Sequence, residues 1–333
     1  MAALDLNHAI AKMQIPNQYR DIFFPYTTRK LLEFQDSHRS FIYYTTAATA
    51  LKAIRSREIW MRLTGVMNDH SEVQHGFNCL STVLSPTSPT ALLLANSLNG
   101  CFQDLYREVN DLFNQWAPSM LSDTFIACMS EHDIDDHEYG KLSMWRAYGG
   151  HAGVAFVLNP EIFFSPSQAL ATYIVPVLYS NPESLQIELI ELANKIHENT
   201  SYVQYMGRHK ARDTVFHALR FIAVSTKHPA FKEEREWRIV SSPSLQQSKY
   251  VKQYQEVIAE IPQPVLKIEL KGQPSQGLIG FGLEDFIKEI LIGPCEFPSI
   301  IYRSICQELQ QNGFNNLWKK IRITGIPLRP NQR

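Results

Sequence analysis

The chain has 333 residues, of which 44% are hydrophobic and 20% are charged, a balance typical of a globular protein and not of a disordered or fibrous one. Its formal net charge of -1 excludes a strong overall field that would draw it to nucleic acid or to an anionic membrane surface. The densest apolar run, residues 92–95, is far shorter than the roughly 20 residues of a membrane-spanning helix. We therefore expect a cytoplasmic protein without a membrane partner and without strong nucleic-acid binding.

The start of the chain is mostly polar. Prolines break the helical pattern of residues 1–37, which predicts a helical N-terminal extension. The same segment shows neither the basic stretch nor the apolar run of an export signal, in agreement with a cytoplasmic location. The five cysteines include no C-x-x-C pair, so we expect free, buried thiols.

Strand and helix signals alternate in the next part of the chain. Residues 41–46 are aromatic and β-branched and predict a strand, after which a capping threonine starts a helix that extends to about residue 57. A second strand is expected over residues 59–63. Apolar residues at helical spacing predict a helical insertion over residues 90–117.

The remaining sequence continues this alternation. A short helix is expected over residues 143–148, a second helical insertion over 182–225, a loop over 227–232 and a helix over 298–313. Together the elements predict one α+β domain over residues 38–330. Further strands are expected over residues 124–129, 153–158, 173–179, 234–240, 265–270, 286–292 and 321–326.

The segment Glu-Arg-Glu-Trp-Arg at residues 234–238 is the most informative for chemistry. In a strand, Glu234, Glu236 and Arg238 share one face, and neighbours on that face lie roughly 6 to 7 Å apart. The two carboxylates then raise each other's pKa, and Arg238 offsets their repulsion. Such a set suits polyol or cation binding. The alternative is a solvated strand face whose charges pair with a neighbouring strand.

The loop before this strand favours a site, because His228 and Phe231 place a basic and an aromatic group beside the carboxylates. A second cluster, Asn68, Asp69 and Glu72, sets polar groups at a helix entrance. Its members either line a site or only cap the helix.

A third cluster is Trp145, Arg146 and Tyr148 with nearby glycines. A glycine-rich turn lets the backbone approach a ligand, and an arginine can clamp a phosphate with two hydrogen bonds. Alternatively, Trp145 belongs to the core and the glycines form a hairpin turn. The histidine- and aspartate-rich residues 132–138 fit neither calcium-loop nor zinc spacing, so we predict no metal there.

These segments together resemble the bacterial domain of unknown function 2971 family. The specific part is Phe-x-x-Glu-x-Glu-Trp-Arg over residues 231–238. Supporting segments are Tyr44-Thr45-Thr46, Asn68-Asp69-x-x-Glu72, Ser130, Trp145-Arg146-x-Tyr148-Gly149 and Ile292-Gly293-Pro294.

The order of elements in this family looks like a remote ADP-ribosyltransferase. The resemblance implies a mixed, mainly antiparallel central sheet that is split, with NAD as substrate and no metal. It assigns the grip on NAD to the first strand, where Tyr43, Tyr44 and Thr45 lie, and support to Ser130. The contact with the nicotinamide ribose falls to Glu236 or Glu234.

One position departs from the pattern, because Tyr43 stands where a His or Arg is expected to hold the NAD ribose. Either another residue such as Arg146 takes that role or the chemistry differs.

Three functions follow as hypotheses. The first is an NAD-using ADP-ribosyltransferase-like enzyme or NAD glycohydrolase, acting as a toxin or in phage defence on a nucleotide-like small molecule. The second is a metal-dependent nuclease or phosphodiesterase with Asp69, Glu72, Glu234 and Glu236 as magnesium ligands. The third is a non-catalytic ligand-binding or regulatory module.

Overall fold

The computed structural model describes residues 17–66, 71–164, 169–258, 260–314 and 316–327. Its helices are α1 (Asn17–Phe23), α2 (Pro25–Asp36), α3 (Ala47–Ser56), α4 (Ser71–Val83), α5 (Pro89–Cys101), α6 (Leu105–Ser122), α7 (Leu142–Tyr148), α8 (Pro160–Phe163), α9 (Pro182–Glu198), α10 (Thr200–Met206), α11 (Arg208–Ser225), α12 (Leu283–Phe286) and α13 (Pro298–Gln311). No helix in these ranges combines the length and apolar character needed to cross a bilayer.

The strands are β1 (Ser40–Thr46), β2 (Glu58–Leu63), β3 (Phe125–His132), β4 (Ala152–Leu158), β5 (Tyr173–Pro176), β6 (Leu178–Tyr179), β7 (Thr226–Lys227), β8 (Glu236–Ser241), β9 (Val251–Ile258), β10 (Ile261–Glu269), β11 (Ile287–Cys295) and β12 (Ile321–Ile323). Short 3-10 turns lie at Thr64–Val66, Pro229–Glu234, Pro274–Gln276 and Leu317–Lys320.

Local capping sets several element ends where the sequence predicts them. Thr46 ends β1, and its hydroxyl accepts the Thr49 backbone N–H at 3.3 Å, which starts α3. Asn181 and Ser184 form a reciprocal capping box at the start of α9, with Pro182 as the first helical residue. The first strand, its capping threonine and the second helical insertion are therefore confirmed.

Ten strands form one sheet, whose main path runs β12-β11-β4-β1-β3-β2-β10-β9. Strand β8 joins this path at β3, and β5 pairs with β8. The registered pairs of this sheet are antiparallel apart from β11 with β12. The predicted α+β class, with a mainly antiparallel central sheet and helical insertions, is confirmed.

The sheet divides at β3. This strand pairs with β1 through residues 130–132 and with β2 through residues 125 and 126. Its other edge pairs with β8 through residues 125–130. Among the described pairings, residues 127–129 have no partner on the edge that faces β1 and β2. Strands β1 and β2 therefore separate over the middle of β3 and leave a gap in the sheet.

Two large apolar cores hold the fold. One lies on the sheet face that carries Phe41 and Trp237, and the other lies among the helices α4, α5, α9 and α11. Helix α1 contributes Ile22 to the helical core, whereas α2 contributes Phe34 to the sheet core. Residues 17–36 thus pack into both cores, and the division into an extension and a domain stays a prediction.

The strand predicted over residues 234–240 is wrong at its start. Pro229–Glu234 form a 3-10 turn, whose first residue is a proline with fixed φ and whose cap is His228. Arg235 then takes a left-handed φ of 44°, which redirects the chain before β8 begins at Glu236. Glu234 therefore does not share a strand face with Glu236, and the loop predicted over residues 227–232 is also wrong.

Three smaller predictions need correction. The edge strand β9 is missed because residues 252–255 are all exposed and mostly polar, without apolar alternation. The helical insertion predicted over residues 90–117 is confirmed, but it ends later, at Ser122, and divides into two helices where Asp104 takes a left-handed φ of 61°. The cysteines are free as predicted, but only Cys79 and Cys101 are buried; Cys128, Cys295 and Cys306 are partly exposed.

A close helix contact generates a test of the helical core. A Cβ added at Gly76 of α4 would lie 2.0 Å from the backbone carbonyl oxygen of Ala223 on α11. We expect Gly76→Ala to lower the free energy of unfolding by about 2 kcal/mol, because backbone cannot move aside without displacing a helix. Urea denaturation measures the change.

The control is Gly100→Ala near the end of α5, where an added Cβ meets nothing within 4 Å. This change should raise stability by about 0.5 kcal/mol, since alanine loses less backbone entropy in a helix. Equal effects of the two substitutions would contradict the close α4–α11 contact.

Candidate functional site

The gap between β1 and β2 opens into a cavity of about 440 Å³, here called the split cleft. Tyr43 and Thr45 of β1 stand on one wall, and Trp60 and Arg62 of β2 stand on the other. Residues 127–129 of β3 lie between them. Most of the remaining lining is apolar, with Phe156, Leu158, Ile239 and Phe286 among it. A mainly apolar cavity with few polar groups is typical of a small-molecule site.

Two cations, Lys52 and Arg62, line the split cleft together with Glu58. Of the two cations, Arg62 is the one that interacts with Tyr43. Its guanidinium donates to Gln263 Oε1 at 3.1 and 3.2 Å and to the Val66 carbonyl at 2.7 Å. In the part of the chain that the structure describes, these acceptors are all neutral. Burial lowers the pKa of Arg62, and the Tyr43 hydroxyl opposes that effect, which places the two groups in electrostatic contact. A half-buried guanidinium whose described acceptors carry no charge suits an anionic ligand.

Four charged side chains, Lys227, Glu234, Glu236 and Arg238, form what we call the carboxylate cluster. Lys227 Nζ lies 2.7 Å from Glu234 Oε2 and 3.1 Å from Glu236 Oε2. Arg238 Nε donates to Glu236 Oε1 at 2.8 Å, and its Nη1 donates to the Val224 carbonyl at 2.8 Å. The charges predicted as a solvated or ligand-facing strand surface are instead joined in one ion-pair network.

Burial differs within the carboxylate cluster. The side chains of Lys227, Glu236 and Arg238 are 3%, 6% and 0% exposed, whereas Glu234 is 15% exposed. Burial alone raises the pKa of Glu236, but the Arg238 and Lys227 cations outweigh it and lower that pKa to about 2. Glu236 is therefore ionised at neutral pH, and Glu234 is the carboxylate nearer to solvent.

Cys128 lies between the split cleft and the carboxylate cluster. It lines the split cleft, its backbone pairs with Arg238, and its thiol hydrogen-bonds the Glu236 carboxylate. Tyr148 donates its hydroxyl hydrogen to Glu234 Oε1 at 3.2 Å, and burial together with Glu234 raises the pKa of this tyrosine. The carboxylate cluster thus lies immediately beside the β3 residues that the gap exposes.

Several predicted ligand residues lie in the protein interior. Tyr44 is on the opposite face of β1 from Tyr43, and its hydroxyl accepts the Lys141 backbone N–H at 2.8 Å. Trp145 is 2% exposed and packs edge-on against Tyr44, so the core alternative holds for this residue. A Cβ at Gly293 would lie 2.5 Å from the Trp145 ring, which explains the need for glycine there. Ser130 is buried opposite Glu236.

The other predicted residues are more peripheral. Arg146 is exposed on α7. Phe231 is 38% exposed and lies under the Lys227 ammonium, 4.8 Å from the ring centroid, while the His228 side chain accepts the Ala230 backbone N–H. The predicted group Asn68, Asp69 and Glu72 lies outside the described residues, except for the backbone of Glu72 in α4.

Two acidic residues of the 132–138 segment, Asp133 and Asp136, are used in ion pairs. Arg235 binds Asp133 Oδ2 at 2.5 Å and Asp136 Oδ2 at 2.9 Å, and Lys141 lies 3.7 Å from Asp136. In the described ranges, no three His, Cys, Asp or Glu side chains converge in a way that could hold a metal ion.

Sequence reasoning missed three residues of this region: Arg62, Lys227 as the bridge between the carboxylates, and Cys128. Arg62 sits in a short strand with ordinary alternation, and nothing local marks it as facing a gap. Lys227 belongs to the predicted loop and to the segment that resembles the family, but neither pattern indicates that its ammonium bridges the two glutamates, which follow it by seven and nine residues.

Comparison with known families adds one match. The DUF2971 family model, described as a protein of unknown function, matches residues 144–239. The match includes the whole carboxylate cluster, and it confirms the predicted resemblance to this family. Searches of curated proteins and of solved structures found no match, so the resemblance to ADP-ribosyltransferases stays a prediction.

The ion-pair network generates a stability test. Replacing Glu236 by Gln leaves Lys227 and Arg238 without the carboxylate that they share, so we expect the free energy of unfolding at pH 7 to fall by about 3 kcal/mol. Glu234→Gln should cost about 1 kcal/mol, since Glu234 is more exposed than Glu236. Urea denaturation of each variant measures both values.

The stability lost in Glu236→Gln should decrease as the pH falls. The folded pKa of Glu236, about 2, lies below its ordinary value of 4.5. Its contribution to stability is therefore fully present above pH 4.5 and is lost as the pH falls towards 2. The difference between wild type and Glu236→Gln should shrink over that window, and a difference that stays constant would contradict the ionised state.

Proposed function

We propose that the protein binds NAD in the split cleft and cleaves its nicotinamide–ribose bond, as an ADP-ribosyltransferase-like enzyme or an NAD glycohydrolase. One observation carries the proposal: the sheet gap brings Arg62 and Tyr43 together above β3, with the carboxylate cluster directly beside it at Cys128. A cation for phosphate, aromatic rings for a base and a carboxylate for a ribose are the groups that such a ligand needs.

Binding rests on the two walls of the cleft. The guanidinium of Arg62 offers N–H donors to the pyrophosphate, and its present acceptors are neutral groups that a phosphate outcompetes. Tyr43 and Trp60 supply ring faces, and Thr45 supplies a hydroxyl. In this arrangement Arg62, and not the exposed Arg146, is the arginine that grips NAD, and it does so through the pyrophosphate. The contact with the ribose that a His or Arg at position 43 would make stays unassigned.

The chemistry is charge stabilisation. As the bond between the ribose anomeric carbon and the nicotinamide nitrogen breaks, its electron pair leaves with nicotinamide, which becomes neutral, and positive charge develops on the ribose. A fixed carboxylate beside the ribose stabilises that charge. A hydroxyl of water or of an acceptor then forms the new C–O bond and releases its proton, which Glu234 can accept.

Glu234 is the carboxylate that we assign to ligand contact, and Glu236 is assigned a positioning role. Glu236 already accepts from both Lys227 and Arg238 and is nearly inaccessible. Glu234 is more exposed and carries the Tyr148 hydroxyl, which a ribose hydroxyl could replace. Lys227 keeps both carboxylates in place, because one ammonium contacts both.

The same network supports a second candidate, a ligand-binding module without catalysis. Glu236 is bound by two cations, and a buried ion pair with a purely structural role has the same geometry. The predicted metal-dependent nuclease gains no such support. Its ligands Glu234 and Glu236 are already bound by cations, and Asp69 and the Glu72 side chain lie outside the described residues. The setting, toxin or phage defence, stays a prediction.

Nicotinamide release from NAD tests the proposal, measured by chromatography with and without a chelator. Wild type should release nicotinamide in both conditions. Arg62→Gln should raise KM for NAD roughly 10- to 100-fold through lost charge-assisted hydrogen bonds. Glu234→Gln should lower kcat roughly 100-fold, with a small effect on KM, through lost transition-state stabilisation.

Two matched variants serve as controls. Glu233→Gln removes the neighbouring carboxylate, which binds Ser143 instead of the cluster, and Arg107→Gln removes an exposed arginine of α6. Both should leave release unchanged. NAD binding without release would favour the binding module, while release that the chelator abolishes, or that survives Glu234→Gln, would contradict the proposed chemistry.

A further inference from the structure

A second cavity, of about 250 Å³, lies where the helical layer meets the end of β8. Its volume equals roughly eight water molecules of liquid. Helix α6 contributes Trp116, α11 contributes His217 and Arg220, and the segment after β8 contributes Ser242 and Gln246. No residue lines both this cavity and the split cleft, so the two are separate sites.

Arg220 is the unusual member of this lining. It is 1% exposed, and its Nη2 donates to Ser242 Oγ at 2.8 Å. Its Nε has no hydrogen-bond partner within the described ranges. Asp213, the acidic residue on the cavity wall, is paired with Arg212 at 2.7 Å. Among the residues that the structure describes, the buried guanidinium therefore has no carboxylate partner.

Comparison with Arg238 shows what is missing. Arg238 is equally buried, but Glu236 neutralises it at 2.8 Å. A buried charge that lacks a counter-ion is strongly destabilising, and proteins normally pair such a group or bury it against a ligand. Arg220 faces a cavity instead of an acidic side chain, so the cavity is the place where its counter-ion belongs.

The other lining groups define the ligand. The Nδ1 of His217 is buried and has no partner among the described residues, and burial with the nearby Arg220 cation lowers the pKa of His217 to about 4. The imidazole is thus neutral at pH 7 and adds no further positive charge. Apolar and aromatic side chains cover the rest of the wall: Leu112, Trp116, Phe216 and Leu245.

We infer that this cavity binds a small organic anion, with a carboxylate or phosphate group on the Arg220 guanidinium and an apolar or aromatic body against Trp116 and Phe216. The guanidinium fork matches either oxyanion. The apolar wall selects against bare inorganic ions, which offer it no surface. The site does not depend on the function proposed for the split cleft.

Isothermal titration calorimetry of the full chain tests this site with benzoate, phenyl phosphate and neutral benzyl alcohol. One or both anions should bind with a stoichiometry of one, and their ratio tells carboxylate from phosphate preference, while benzyl alcohol should bind at least tenfold more weakly. Arg220→Gln should weaken anion binding at least tenfold, as expected for lost charge-assisted hydrogen bonds. Lys210→Gln removes an exposed charge from the same helix outside the cavity and should change nothing.

A second variant covers the case in which Arg220→Gln fails to fold. Leu112→Trp fills the cavity while keeping Arg220, and it should abolish binding of both anions. The inference is overturned if neither anion binds wild type. It is also overturned if benzyl alcohol binds as tightly as the anions, or if binding survives in Arg220→Gln or in Leu112→Trp.

Discussion

Strand β3 pairs with β8 along one edge. Along its other edge it pairs with β2 through residues 125 and 126 and with β1 through residues 130–132. Because two strands cannot occupy the same edge, they diverge, and residues 127–129 face a gap instead of a neighbour. The position of this gap determines which residues form the candidate site. It exposes residues 127–129 of β3 between the wall formed by β1 and the wall formed by β2, and it sets Cys128 between the cleft and the Glu236–Arg238 pair on β8.

The ion-pair network explains how charged groups remain beside that gap. Glu236 and Arg238 alternate with Trp237, whose ring packs into the sheet core, so the polar face of β8 is fixed by an apolar anchor. Lys227 arrives from the end of α11 and binds both glutamates. Arg238 also holds the α11 backbone at Val224, which ties the helical layer to the sheet. Removing one charge therefore disturbs fold and site together.

Elements with a local cause were predictable, and those with a long-range cause were not. The β1 strand and its Thr46 cap follow from neighbouring residues, as does the proline-started helix α9. Glu234 was misplaced because it ends a 3-10 turn, and the left-handed residue Arg235 follows it before β8 begins at Glu236. Arg62 and Arg220 looked like ordinary basic residues of a strand and a helix. Their importance comes from a gap and a cavity built by distant segments.

We propose that a nucleotide binds in the split cleft. A crystal structure with an NAD analogue whose nicotinamide–ribose bond cannot be cleaved tests it most directly. We expect the analogue between β1 and β2, with its pyrophosphate on Arg62 and its nicotinamide ribose within hydrogen-bond distance of Glu234. An analogue bound elsewhere on the protein, or a cleft that stays free of it at saturating concentration, would contradict the account.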